Sequence, residues 1–145
     1  MVVYADTSFL VSLYGRDASS AEAQQMAVTL ESPFAFTLLH RHEARNALRL
    51  AIFRKDITPN ECKAVLAAMG DDEKSGVLAN TPFAWAEVFD QAETLSASHT
   101  PKLGTRAMDI LHVAAAEVLG IREFLTFDTR QKALARKIGM TVRPS

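Results

Sequence analysis

Four acidic residues stand where a carboxylate can do more than carry a solvated charge: Asp6, Glu43, Asp109 and Asp128. Asp6 follows the apolar run Val-Val-Tyr-Ala, and Asp128 follows Glu-Phe-Leu-Thr-Phe. Asp109 lies among Ile110, Leu111, Val113 and Ala114, where an ionised carboxylate needs a compensating partner. Glu43 borders the apolar side of a helical pattern beside Ala47. Carboxylates that converge without cysteine are hard oxygen ligands, suited to Mg²⁺ or Mn²⁺ rather than to structural zinc. A cation held this way clamps phosphate oxygens and activates water, so phosphodiester hydrolysis is the chemistry such a group implies. Each acid also has a plainer role open to it. Asp6 and Asp128 can cap helices, Asp109 can pair with Arg106 or His112, and Glu43 can be a surface residue.

The elements that must position these acids follow from periodicity. Residues 2–5 form a short apolar strand feeding Asp6-Thr7-Ser8, which are helix-capping types, and Phe9, Leu10, Leu13 and Tyr14 recur at helical spacing before Gly15. Ser19 and Ser20 cap a second helix through about residue 30, and residues 34–37 read as a brief strand. A helix over 38–53 carries Glu43 early, and Thr58-Pro59-Asn60-Glu61 opens another that runs to about residue 69. Residues 70–75 are expected to loop, 77–79 to form an edge strand, 82–95 a helix, and 96–105 a break.

Residues 107–119 form a nearly all-apolar interior helix with Asp109 near its start and Gly120 at its end. The chain closes with a strand over 123–127, a helix capped by Asp128 or Thr129 through residue 138, and a strand over 140–142. Helices alternating with short apolar strands define an α/β domain with a mainly parallel sheet, one domain over residues 1–145 without repeats or linkers. Ligands of such sheets gather at the carboxyl ends of strands, so Asp6 and Asp128 should share one edge, with Glu43 and Asp109 at nearby helix starts.

The 145-residue chain is long enough to bury a core without a staple, and at 48% hydrophobic and 23% charged it is neither disordered nor fibrous. A net charge of −1 gives no global attraction to nucleic acid, so such contacts must be local. Cys62 is the only cysteine, which excludes an internal disulfide and a cysteine-rich zinc site and suits a reducing compartment. Neither a signal peptide nor a membrane-spanning run is expected, which places the protein in the cytoplasm.

Ala-Asp-Thr-Ser-Phe-Leu (5–10), His-Glu-Ala-Arg-Asn-Ala-Leu (42–48), Arg-Ala-Met-Asp-Ile-Leu-His-Val-Ala-Ala-Ala (106–116) and Leu-Thr-Phe-Asp-Thr-Arg (125–130) together resemble the PIN-domain nucleases, in order and separation, over essentially the whole chain. The resemblance implies a three-layer α/β/α sandwich around the mainly parallel sheet. It also implies an Mg²⁺- or Mn²⁺-dependent ribonuclease of the VapC-like toxin type, paired with an antitoxin protein and forming a homodimer. Asp6, Glu43 and Asp109 would bind the metal, Asp128 would serve as a fourth acid directly or through water, and Thr7, Ser8 and Thr126 would support the site. Arg130 stands where some members carry a further acid, which leaves the metal count open.

Arg106, one turn before Asp109, is the best-placed phosphate contact, its guanidinium being able to hold two oxygens at once. His112 reads as a hydrogen-bonded core residue. Arg41, Arg45 and Arg49 form a solvated or protein-contact face, and Phe83, Trp85 and Phe89 a packing group. The alternative to a nuclease is a PIN-like module that has lost catalysis and regulates through a protein partner.

Overall fold

The short apolar runs become strands, and every strand but the last leads into a helix. The computed structural model describes all 145 residues. In chain order the elements are β1 (Tyr4–Ala5), α1 (Thr7–Tyr14), α2 (Ser20–Leu30), β2 (Phe34–Phe36), α3 (Leu38–Phe53) and α4 (Pro59–Ser75). They continue with β3 (Leu78–Asn80), α5 (Trp85–Leu103), α6 (Ala107–Val118), β4 (Glu123–Leu125), α7 (Thr129–Lys137) and β5 (Thr141–Arg143). The elements fall into two compact units, one of Met1–Val2 and Thr7–Thr81, the other of Val3–Asp6 and Pro82–Ser145.

Every strand pairing is parallel. In the first unit β2 pairs with β3, Ala35 opposite Ala79; in the second the order is β1-β4-β5, with Tyr4 opposite Phe124 and Phe124 opposite Val142. The fold class is therefore α/β with parallel strands, as the alternation of elements requires. Buried Phe9, Leu10, Phe34, Ala44, Leu48 and Leu78 fill the first unit. In the second, Tyr4 stacks on Phe124 with ring centroids 5.5 Å apart, and the run Val113 to Ala116 of α6 is buried as well.

Two helices run further than the sequence leads one to expect. Residues 70–75 continue α4 instead of looping, because Gly70 has an ordinary helical backbone and the turn after it is anchored: Tyr14 donates to Asp72 at 2.5 Å and Arg41 pairs with Glu73 at 3.1 Å. The stop is Gly76, at φ 87°, a left-handed cap that glycine takes without a Cβ penalty. Likewise, residues 96–103 continue α5 where a break is expected. Pro101 lies in its last turn, where a missing N–H costs one bond near an end that frays anyway, and Gly104 at φ 66° closes the helix by donating to Thr100 O at 2.8 Å. The start of α5 is later than expected, at Trp85, after Ala84 with an extended backbone.

Candidate active site

In the second unit the carboxyl ends of β1 and β4 lie side by side, and Asp6 and Thr126 are the next residues along. The Asp6 N–H donates to Leu125 O at 3.0 Å, so the backbone ladder continues through the acid. The Asp6 carboxylate, on a residue 4% exposed, accepts the Thr126 hydroxyl at 2.7 Å. The same hydroxyl oxygen accepts the Asp128 N–H at 3.0 Å. One fully buried threonine thus links the Asp6 side chain to the backbone at Asp128, each bond polarising the next.

Asp128 uses its two oxygens differently. Oδ1 accepts the Gln131 N–H at 2.8 Å and caps α7, while Oδ2 faces the Arg106 guanidinium at 3.6 Å. Asp109, on the first turn of α6, receives Arg106 Nε on its Oδ2 at 3.0 Å. Arg106 therefore stands between two carboxylates, which hold it firmly cationic by raising its pKa, the hydrogen bond to Asp109 being the larger cause. Gln131, fully buried, donates its side-chain amide to the Asp109 carbonyl at 3.1 Å. Sequence reasoning missed it; its signal was a polar residue on the apolar stripe formed with Leu134 and Ala135.

In the first unit α3 is fixed by a capping box in which the Thr37 hydroxyl accepts from the His40 N–H and His40 Nδ1 accepts from the Thr37 N–H. Glu43 lies on the turn that follows. Its Oε1 accepts the hydroxyl of Thr7, the first residue of α1 and the chain neighbour of Asp6, at 2.8 Å. Ser8 is exposed on the first turn of α1. His112 is buried and shares a hydrogen bond of 2.7 Å between its Nδ1 and the Tyr4 hydroxyl.

The structure thus groups Asp6, Thr126, Asp128, Arg106 and Asp109 in one unit and Thr7 with Glu43 in the other. No three carboxylate, imidazole or thiol groups are arranged closely enough to hold a metal ion, and Arg106 supplies the positive charge between Asp109 and Asp128. The chemistry of the acids nonetheless fits a hard divalent cation. The ligand atoms that Asp6, Asp109 and Asp128 offer are all oxygen, and the buried Gln131 Oε1, on the amide that touches Asp109, has no hydrogen-bond partner.

Parallel strands with acids at their carboxyl ends, alternating with helices in this order, define the class: a PIN-like α/β fold. The chain is similar in structure to VapC20 of Mycobacterium tuberculosis, described as a sarcin-ricin loop cleaving toxin, with a TM-score of 0.69 over 97% of this chain and 97% of that one, at 19% identity. It is also similar to FitAcB from Neisseria gonorrhoeae, with a TM-score of 0.62 over 98% of this chain and 96% of that one, at 16% identity. No protein-family model matches the sequence, and no curated protein sequence matches it. No helix is long and apolar enough to cross a membrane.

Proposed function

We propose that this chain is an Mg²⁺- or Mn²⁺-dependent endoribonuclease that acts in the cytoplasm as the toxin of a toxin–antitoxin pair. The observation that carries the reading is the linked set Asp6–Thr126–Asp128 with Asp109 beside it, at the carboxyl ends of two parallel strands. Likeness in fold to a structure described as a loop-cleaving toxin supports RNA as the substrate class. Asp6, Asp109 and Asp128 would hold the cation. When bound, the cation neutralises phosphate charge and lowers the pKa of water.

The chain's own residues do the remaining work. Thr126 fixes the Asp6 carboxylate through Oδ2, so the acid cannot rotate freely. Asp128 is held by its cap through Oδ1 and keeps Oδ2 for a cation. Gln131 fixes the backbone at Asp109. Thr7 orients Glu43. Arg106, its side chain 71% exposed, is a cation one turn from Asp109 that can take a phosphate oxygen.

Replacing Asp6 by Asn preserves an acceptor for Thr126 but removes the charge. Cleavage of single-stranded RNA should fall by about a hundredfold or more while the thermal unfolding midpoint stays near wild type. A second reading, a PIN-like module that acts through a protein partner without cutting RNA, draws on the Arg106 pairs, which already neutralise two of the acids. It predicts that Asp6→Asn and Asp109→Asn keep the full effect on cell growth, whereas the nuclease reading predicts that both lose it.

A further inference from the structure

Arg106 occupies the N-cap position of α6, a place that favours Ser, Thr, Asp or Asn, and its side chain makes no cap bond there. A cation at a helix N-terminus also opposes the helix dipole. What holds the guanidinium is the pair of carboxylates: Nε on Asp109 Oδ2 at 3.0 Å, and Nη2 near Asp128 Oδ2 at 3.6 Å. On Asp128 this is the oxygen that the helix cap leaves uncommitted. The Arg106 side chain is 71% exposed, so turning it outward sacrifices little packing.

We infer that Arg106 is a built-in competitor for the divalent cation: it neutralises Asp109 and Asp128 until a cation takes those oxygens and releases the guanidinium toward the substrate phosphate. This rests on the reading of Asp109 and Asp128 as cation ligands given above. Two cations this close on the same carboxylate oxygens repel each other, so binding of the one favours displacement of the other. The displaced guanidinium remains tethered one turn from Asp109, where an RNA phosphate gives it a new partner. Cation and RNA should therefore each strengthen the binding of the other, and by the same factor. The device sets a threshold: cation affinity is low until substrate arrives.

The test is a Mn²⁺ titration of the full chain, followed by calorimetry and by the loss of the free-ion resonance signal. It compares wild type, Arg106→Gln and Arg106→Lys, with and without an RNA oligonucleotide made uncleavable by methylene groups in place of the bridging ester oxygens. Arg106→Gln should bind Mn²⁺ about tenfold more tightly than wild type without RNA, because the competing charge is gone. Arg106→Lys should stay near wild type. Adding the oligonucleotide should tighten Mn²⁺ binding in wild type by several-fold and in Arg106→Gln much less. Equal or weaker Mn²⁺ binding by Arg106→Gln, with wild type still binding, overturns the inference and leaves the cation site standing. No Mn²⁺ bound by any of the three proteins overturns both.

Discussion

Asp128 carries two duties on one carboxylate, and single substitutions can separate them. Asn is as good an N-cap as Asp, so Asp128→Asn should keep stability within about 0.5 kcal/mol by urea unfolding, while Asp128→Ala loses about 1 kcal/mol with the cap. Both should lower RNA cleavage to a similar degree, because both remove the charged Oδ2. Wild-type cleavage by Asp128→Asn would reduce Asp128 to a cap. The side-chain partners of these acids are only partly legible in the sequence. Arg106 pairs with Asp109 at the i, i+3 spacing that sequence displays directly. The contact from Arg106 to Asp128 spans elements, as does the threonine link from the end of β4 to Asp6, and neither has a local signature. A lone glutamine among lysines and arginines reads as solvated, which hides Gln131.

Among the elements, the helix starts follow from locally placed capping residues. Thr58 and Pro59 begin α4 as their types require, and Asp128 begins α7. Glycine and proline mislead when read as punctuation. Gly70 has neither a left-handed backbone nor any atom within 4 Å of an added Cβ, so nothing there demands glycine, and α4 passes through it. Gly70→Ala should therefore stabilise the protein by about 0.5–1 kcal/mol in urea unfolding. Gly76, at φ 87°, is the true stop, and Gly76→Ala should cost about 1–2 kcal/mol. Destabilisation by Gly70→Ala would mean that α4 is interrupted there after all. Pro101 misleads for the same reason: near a C-terminus a proline removes only one late bond, and side-chain pattern alone does not reveal how close the end is.

For the whole molecule, the parallel pairing and the order of elements are readable because each strand is a short apolar run and each helix has its own period. That the strands divide into a pair and a triplet is not readable, since pairing partners are set by long-range packing. Assembly follows from the proposed function rather than from the pattern of residues. If the proposed toxin assignment holds, light scattering on the purified chain should give twice the mass of one copy, and co-expression with an antitoxin encoded in a neighbouring reading frame should suppress RNA cleavage. A monomer that no such neighbour inhibits would remove the toxin assignment and leave the nuclease.

Whether hydrolysis runs on a divalent cation held by Asp6, Asp109 and Asp128 is decided by one cleavage assay. A single-stranded RNA is followed with the wild-type protein in Mn²⁺, in excess EDTA, and after Mn²⁺ is restored. Cleavage should stop in EDTA, return with Mn²⁺, and leave no 2′,3′-cyclic phosphate, because water rather than the neighbouring 2′-hydroxyl attacks. Undiminished cleavage in EDTA, or cyclic phosphate ends, would contradict a cation-dependent attack by water.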